Sequence, residues 1–124
     1  MAKAKLPPAK DWQARHIDDW NAHTFYAYLR DMHREIRQLD YFAARGLKVD
    51  LSLIKQDYEA YGKIALKLFI EQALKEYKGT AKYMICTYNF MHTYMMAQVM
   101  PKIQVQEARQ EEAAVEQDFE AIEW

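Results

Sequence analysis

Along most of the chain, apolar residues recur every three or four positions. In "AHTFYAYLRDMHREIRQ", Phe25, Tyr28, Leu29, Met32 and Ile36 are spaced 3, 1, 3 and 4. At about 100° per residue they form one narrow stripe, which predicts an amphipathic helix. Asn21 stands just before it, where a side-chain oxygen can accept from the first free backbone N–H groups. Arg30, Arg34 and Arg37 fall on the opposite side, with His23. Upstream, "DWQARHIDDW" is expected to form a short helical turn pinned to the body by Trp12 and Trp20.

The rhythm lapses in "LDYFAARGLKV", where Gly46 permits a turn. A second helix is expected to be capped by Asp50 or Ser52. Its buried face would be Leu51, Ile54, Tyr58 and Tyr61, and Gly62 would stop it. A third, from Lys63 to Lys78, buries Leu66, Phe69, Ile70, Ala73, Leu74 and Tyr77 and ends at Gly79. Lys63, Lys67, Lys75 and Lys78 share its other face with Glu71.

The stretch "KYMICTYNFMHTYMMAQVMPK" holds five of the seven methionines. Lys82–Cys86 suits either an extended piece or a helix start, and Thr87 can cap a helix over 88–100. On a regular wheel that helix has no polar face, which predicts a central, buried position. Pro101 is expected to break or kink the chain at that point. Beyond it come strong helix formers. There Val105, Ala108, Val115, Phe119 and Ile122 are spaced 3, 7, 4 and 3, a seam of coiled-coil type that a second copy could share over 105–122.

The pattern therefore predicts an all-α single domain of four or five helices with a protruding acidic C-terminal helix. Three regions are expected: a basic arm at 1–10, the helical domain at 11–101 and an acidic helix or tail at 102–124. With only three glycines and three prolines among 124 residues, architectures built from many turns are disfavoured. Charge sharpens these boundaries. The net charge is −1, but the first ten residues carry +3, and residues 104–124 carry seven acids against Arg109. Such asymmetry points to partners rather than to fold.

The chemistry is sparse. Cys86 is the single cysteine, so no internal disulfide can form, and in its apolar run it reads as a small buried hydrophobe. The N-terminus is basic but lacks the apolar stretch of a signal peptide. No run is long enough to span a membrane, so a cytoplasmic protein is expected. His16, His23, His33 and His92 show no zinc spacing, and either His23 or His33 suits an exposed position. Paired carboxylates such as Asp18-Asp19 sit in polar surroundings that would not shift a pKa. Phosphate-cradling glycine loops are lacking. No catalytic residue, metal or cofactor is expected.

Two surfaces remain as candidate sites. Arg30, Arg34, Arg37, Lys63, Lys67, Lys75 and Lys78 could contact phosphates of nucleic acid, or a protein partner. The body as a whole is only weakly basic, below the usual signature of a dedicated nucleic-acid binder. Phe119, Ile122 and Trp124, set among acids in "VEQDFEAIEW", could dock a partner. This ending resembles the acidic, hydrophobic-tipped tails of bacterial and phage single-stranded DNA-binding proteins, which recruit replication partners.

The segment "DDWNAHTFYAYLRDMHREI", and "YGKIALKLFIEQALKEYK" joined to "YNFMHTYMMAQVMPKI", resemble small uncharacterised helical proteins of phages and prophages of Gram-positive bacteria. The helix order is also similar to the C-terminal module of DnaD-like replication proteins. That module ends in a Tyr-xxx-Ile-xxx-Trp motif. Here Tyr83, Tyr88 and Tyr94 are followed four residues later by Thr87, His92 and Gln98, so no residue role carries over. The resemblance implies a phage-type accessory protein. The expected function is a non-enzymatic accessory or adaptor of DNA metabolism. The alternatives are an inhibitor of a host factor with no DNA role, or a structural helical oligomer.

Overall fold

The computed structural model describes residues 6–121, with side chains to residue 112. It is all-helical, with four helices and a lone 3-10 turn at Ile17–Asp19 in one small domain. Helices α1 (Ala22–Arg37), α2 (Leu47–Tyr61) and α3 (Lys63–Glu76) are regular. The fourth helix, α4, runs without interruption through three pieces. These are an α-helical turn at Tyr88–Phe90, a π-helical turn at Met91–Met95 and a long α-helical part at Met96–Ala121.

Helix α1 starts as its sequence predicts. The Asn21 side chain accepts from the Thr24 N–H at 3.1 Å, and the Thr24 hydroxyl accepts from the Asn21 N–H at 3.3 Å. This reciprocal pair satisfies two donors that the first helical turn leaves free. Phe25, Tyr28 and Leu29 of the predicted stripe are buried, and Met32 and Ile36 pack against them half-buried. Trp12 and Trp20 do pin the N-terminal segment. The Trp12 indole packs edge-on against Tyr28 at 4.7 Å, and Trp20 against Phe25 at 5.0 Å.

Helix α2 departs from its predicted frame. It begins at Leu47, before the expected caps, and Gly46 stands at its N-cap with φ 100°. Asp50 lies inside the helix and is buried, as are Ile54 and Asp57, whereas Tyr61 is exposed. The buried face is thus rotated away from Leu51 and Tyr61 toward two aspartates. At the α2–α3 corner Gly62 has φ 94° and ψ 155°, a region that only glycine occupies without strain.

The centre of the domain is α3, not the methionine-rich helix. Ala65, Leu66, Phe69, Ile70, Ala73 and Leu74 are all buried, because α3 packs against α1, α2 and the long part of α4. In α4 the buried residues are Tyr88, Met91, Met96, Val99, Met100 and Ile103. Phe90, Thr93, Tyr94, Ala97 and Gln98 face outward, so this helix does have an exposed side. The π turn explains the discrepancy. On a regular α-helix Met91 and Met96 would lie about 140° apart. Here the Met96 N–H donates to the Met91 carbonyl, an i→i+5 bond that adds a residue to the turn and returns both methionines to one face.

Pro101 does not break α4, which passes through it to Ala121. Its ring and the Ala97 position one turn earlier are both exposed. The carbonyl that loses its usual N–H partner therefore lies on the solvent side, where water can serve it. The boundary expected there marks a change of charge within one helix.

Candidate functional site

The predicted basic face is divided by the fold. Arg37 turns inward beneath the end of α3. Its guanidinium donates to the carbonyls of Leu74 at 3.3 Å and Tyr77 at 2.8 Å, and lies 4.8 Å from the centre of the Tyr77 ring. It thereby serves the carbonyls that every helix C-terminus leaves free. Lys63 donates to the Asp18 carbonyl at 2.7 Å, and Lys67 sits 5.6 Å over both the Trp20 and Tyr28 rings. These three are engaged in holding the structure. Arg30, Arg34, Lys75 and Lys78 are exposed, with Arg34 in a loose pair to Asp40 at 3.7 Å. Phe119, Ile122 and Trp124 fall outside the side chains described, as do Lys3 and Lys5 of the basic arm.

A buried polar chain that the sequence pattern does not signal joins α2 to the start of α4. Asp50 accepts from the Tyr41 hydroxyl. The same hydroxyl accepts from the Tyr88 N–H at 3.0 Å, and so serves the first residue of α4. The Tyr88 hydroxyl donates to Asp57 at 2.5 Å, and His92 Nδ1 donates to the same carboxylate oxygen at 2.8 Å. Burial raises Asp50 above its ordinary value, with the Tyr41 hydrogen bond working against that rise. Burial also pushes the Tyr41 and Tyr88 hydroxyls up, so both remain donors. A carboxylate orienting an imidazole is a geometry that general bases use. Here, though, neither Asp57 nor His92 lines any of three clefts found among the described residues. The chain reads as a staple between helices.

Of the two histidines that suited an exposed position, His23 is exposed and His33 is fully buried. It continues the α1 stripe one turn beyond Leu29, a spacing that could have flagged it. Its Nε2 accepts from the Cys86 N–H at 3.1 Å, which leaves Nδ1 to donate to the Leu39 carbonyl at 2.7 Å. This requires the neutral imidazole. Burial lowers its pKa below the ordinary 6.5, with the Leu39 hydrogen bond opposing. His33 thus ties α1 to both the 38–46 and the 77–87 connections. Cys86 is buried beside it, and burial pushes its thiol up to about 12, so it is not a nucleophile at neutral pH.

This clip makes stability depend on pH. Below pH 6.5 the unfolded chain takes up a proton at His33 that the folded chain resists, so stability falls as pH falls. Asp50 acts oppositely. Its raised folded value means that protonation at lower pH removes a cost, so stability is regained there. Urea midpoints measured from neutral to mildly acid pH should therefore decline. In His33→Phe, less stable throughout, that decline should flatten. An unchanged slope in this variant would show that His33 does not carry it.

The most open chemistry lies around the 77–87 connection. A cleft of about 580 Å³ is lined by Tyr77, Tyr83, Ile85, Phe90 and Tyr94 together with Arg45, Asn89 and two threonines. Beside it, a second cleft of about 470 Å³ is lined by Arg37, Lys78, Leu39 and Met84, and the two share Gly79 and Thr80. Tyr83 and Tyr94 are 63% and 64% exposed and stand in the same cleft, so together they form an exposed aromatic patch. Phe90 bridges Tyr77 and Tyr94 with ring centres 5.3 and 5.0 Å away. The Tyr77 hydroxyl donates to the Tyr83 carbonyl at 2.6 Å and holds the loop in place. No carboxylate lines either cleft.

No protein-family model, curated protein or solved structure matches the chain. Among the described residues, no three His, Cys, Asp or Glu side chains come close enough to hold a metal ion, and no helix is long and apolar enough to cross a membrane.

Proposed function

We propose that the protein is a non-enzymatic adaptor of phage-type DNA metabolism. It engages a protein partner through its projecting acidic helix and nucleic acid through its body. The observation that carries this reading is the continuation of α4 beyond Ile103, the last buried residue among the side chains described. From Gln104 to Glu112 every side chain is exposed except Glu107, which is partly covered. At 1.5 Å per residue the helix runs on for about 27 Å to Ala121. A helix draws most of its stability from packing, so one that leaves its own core is suited to being packed by something else. The acid excess beyond residue 103 selects a basic surface as that partner and disfavours side-by-side pairing with an identical helix.

The test uses the full chain with Glu107, Glu111 and Glu112 changed to Gln. Binding to purified replication proteins with basic surfaces is followed by fluorescence anisotropy at several salt concentrations. At least one should bind the unaltered chain with a salt-dependent Kd, and the altered chain should bind it about tenfold more weakly. Equal affinities for both chains would refute docking through this helix.

A further inference from the structure

We propose that the paired clefts around Gly79-Thr80 bind single-stranded nucleic acid by stacking bases on Tyr83 and Tyr94. This names the ligand for the nucleic-acid side of the adaptor reading and rests on it only for context. Two features of the surface converge. The first is aromatic: Tyr83 and Tyr94 line one cleft and are about two-thirds exposed, and Tyr77 and Phe90 line it beside them. Every base has a π face, so exposed rings accept bases without regard to sequence. The second is charge. Among the described residues, the charged side chains lining the two clefts are Arg45 in the aromatic one and Lys78 with the inward-turned Arg37 in its neighbour, and Lys82 reaches over the Tyr83 ring at 5.5 Å. Among the described residues, the charged groups that a phosphate backbone would meet along both clefts are cations.

The combination selects a single strand. In a duplex the base faces are already stacked and closed to the rings, and so few cations are too weak a match for its dense phosphates. A mononucleotide would fill one cleft, whereas two adjoining clefts that share a Gly-Thr ridge suit consecutive nucleotides. An acidic peptide would satisfy the charges but leave the exposed tyrosine faces uncovered.

The experiment titrates the full-length protein into a labelled oligothymidylate of about 12 nucleotides at low salt, following anisotropy and tyrosine fluorescence. Matched duplex, thymidine monophosphate and a polyglutamate peptide serve as competitors. The oligonucleotide should bind and quench tyrosine emission, and each competitor should displace it at least about tenfold less well than unlabelled oligothymidylate. Tyr83→Ala and Tyr94→Ala should each weaken binding about fivefold or more, whereas the Phe variants keep most of the affinity. Arg45→Ala should reduce the salt slope by about 0.7. Both tyrosines are exposed, and unchanged melting temperatures confirm that the variants fold. Absence of binding, full affinity in both Ala variants, or displacement by any competitor as effective as the oligonucleotide itself would overturn the proposal. The variant with Glu107, Glu111 and Glu112 changed to Gln provides the separation. It should keep oligonucleotide affinity while losing partner affinity, and partner docking without oligonucleotide binding would refute the strand site alone.

Discussion

Asp57→Ala is expected to lower the unfolding free energy by about 2–4 kcal/mol, because it leaves one buried donor and one part-buried donor without their acceptor. The Tyr88 hydroxyl is fully buried and has Asp57 as its hydrogen-bond acceptor, and His92 Nδ1 donates to the same oxygen. Tyr88→Phe removes only one of these donors and should cost less, about 1–2 kcal/mol. In a double-mutant cycle the Asp57→Ala and Tyr88→Phe effects should fall short of additive by about 1 kcal/mol or more, since each removes the other's partner. Urea denaturation of the four proteins reads all of these quantities. Additive losses, or a loss under about 1 kcal/mol for Asp57→Ala, would mean that the chain from α2 to α4 contributes little.

Met91→Ala is expected to cost about 2–5 kcal/mol, as a large-to-small change at a closed site. Met91 is fully buried, whereas Tyr94, three residues later, is 64% exposed. Tyr94→Ala should therefore change stability by no more than about 0.5 kcal/mol. The half-buried Met95 should fall between the two. A regular α-helix with Met96, Val99 and Met100 in the core would turn Met91 well away from it, so the Met91 result tests the π turn directly. If Met91→Ala were as mild as Tyr94→Ala, the extra residue in that turn would be placed wrongly.

These predictions depend on residues that stood out to different degrees in the sequence. The α1 stripe and its Asn21 cap were legible because both are local: a 3.6-residue period and one side chain reaching three residues on. The α3 face was legible for the same reason. The π turn left a trace in the spacing of Tyr88, Met91, Met96, Val99 and Met100, where a gap of five interrupts gaps of three and one. A fixed 100° wheel averages that gap into an all-apolar helix. The α2 frame was not legible because Asp50 and Asp57 count as polar until Tyr41, Tyr88 and His92 arrive to satisfy them. The candidate site was the least legible part. Of seven basic residues, Arg37, Lys63 and Lys67 became internal partners, while Tyr83, Tyr94 and Arg45 emerged as surface.

By itself, then, the sequence determined the all-helical class, the helical stripes of α1 and α3, the glycine-marked corners and the uneven charge. Each of these arises from interactions within a few residues of one another. Tertiary structure alone decided that α3 is the centre, that His33 bridges two connections and that Arg37 closes α3. It also decided that the tyrosines of the 77–94 region divide between core and surface. The physical reason is common to all of them. Whether a polar or amphipathic side chain is buried depends on a partner supplied from elsewhere in the chain. The Leu39 carbonyl and Cys86 N–H supply it for His33, the Leu74 and Tyr77 carbonyls for Arg37, and Asp57 for Tyr88.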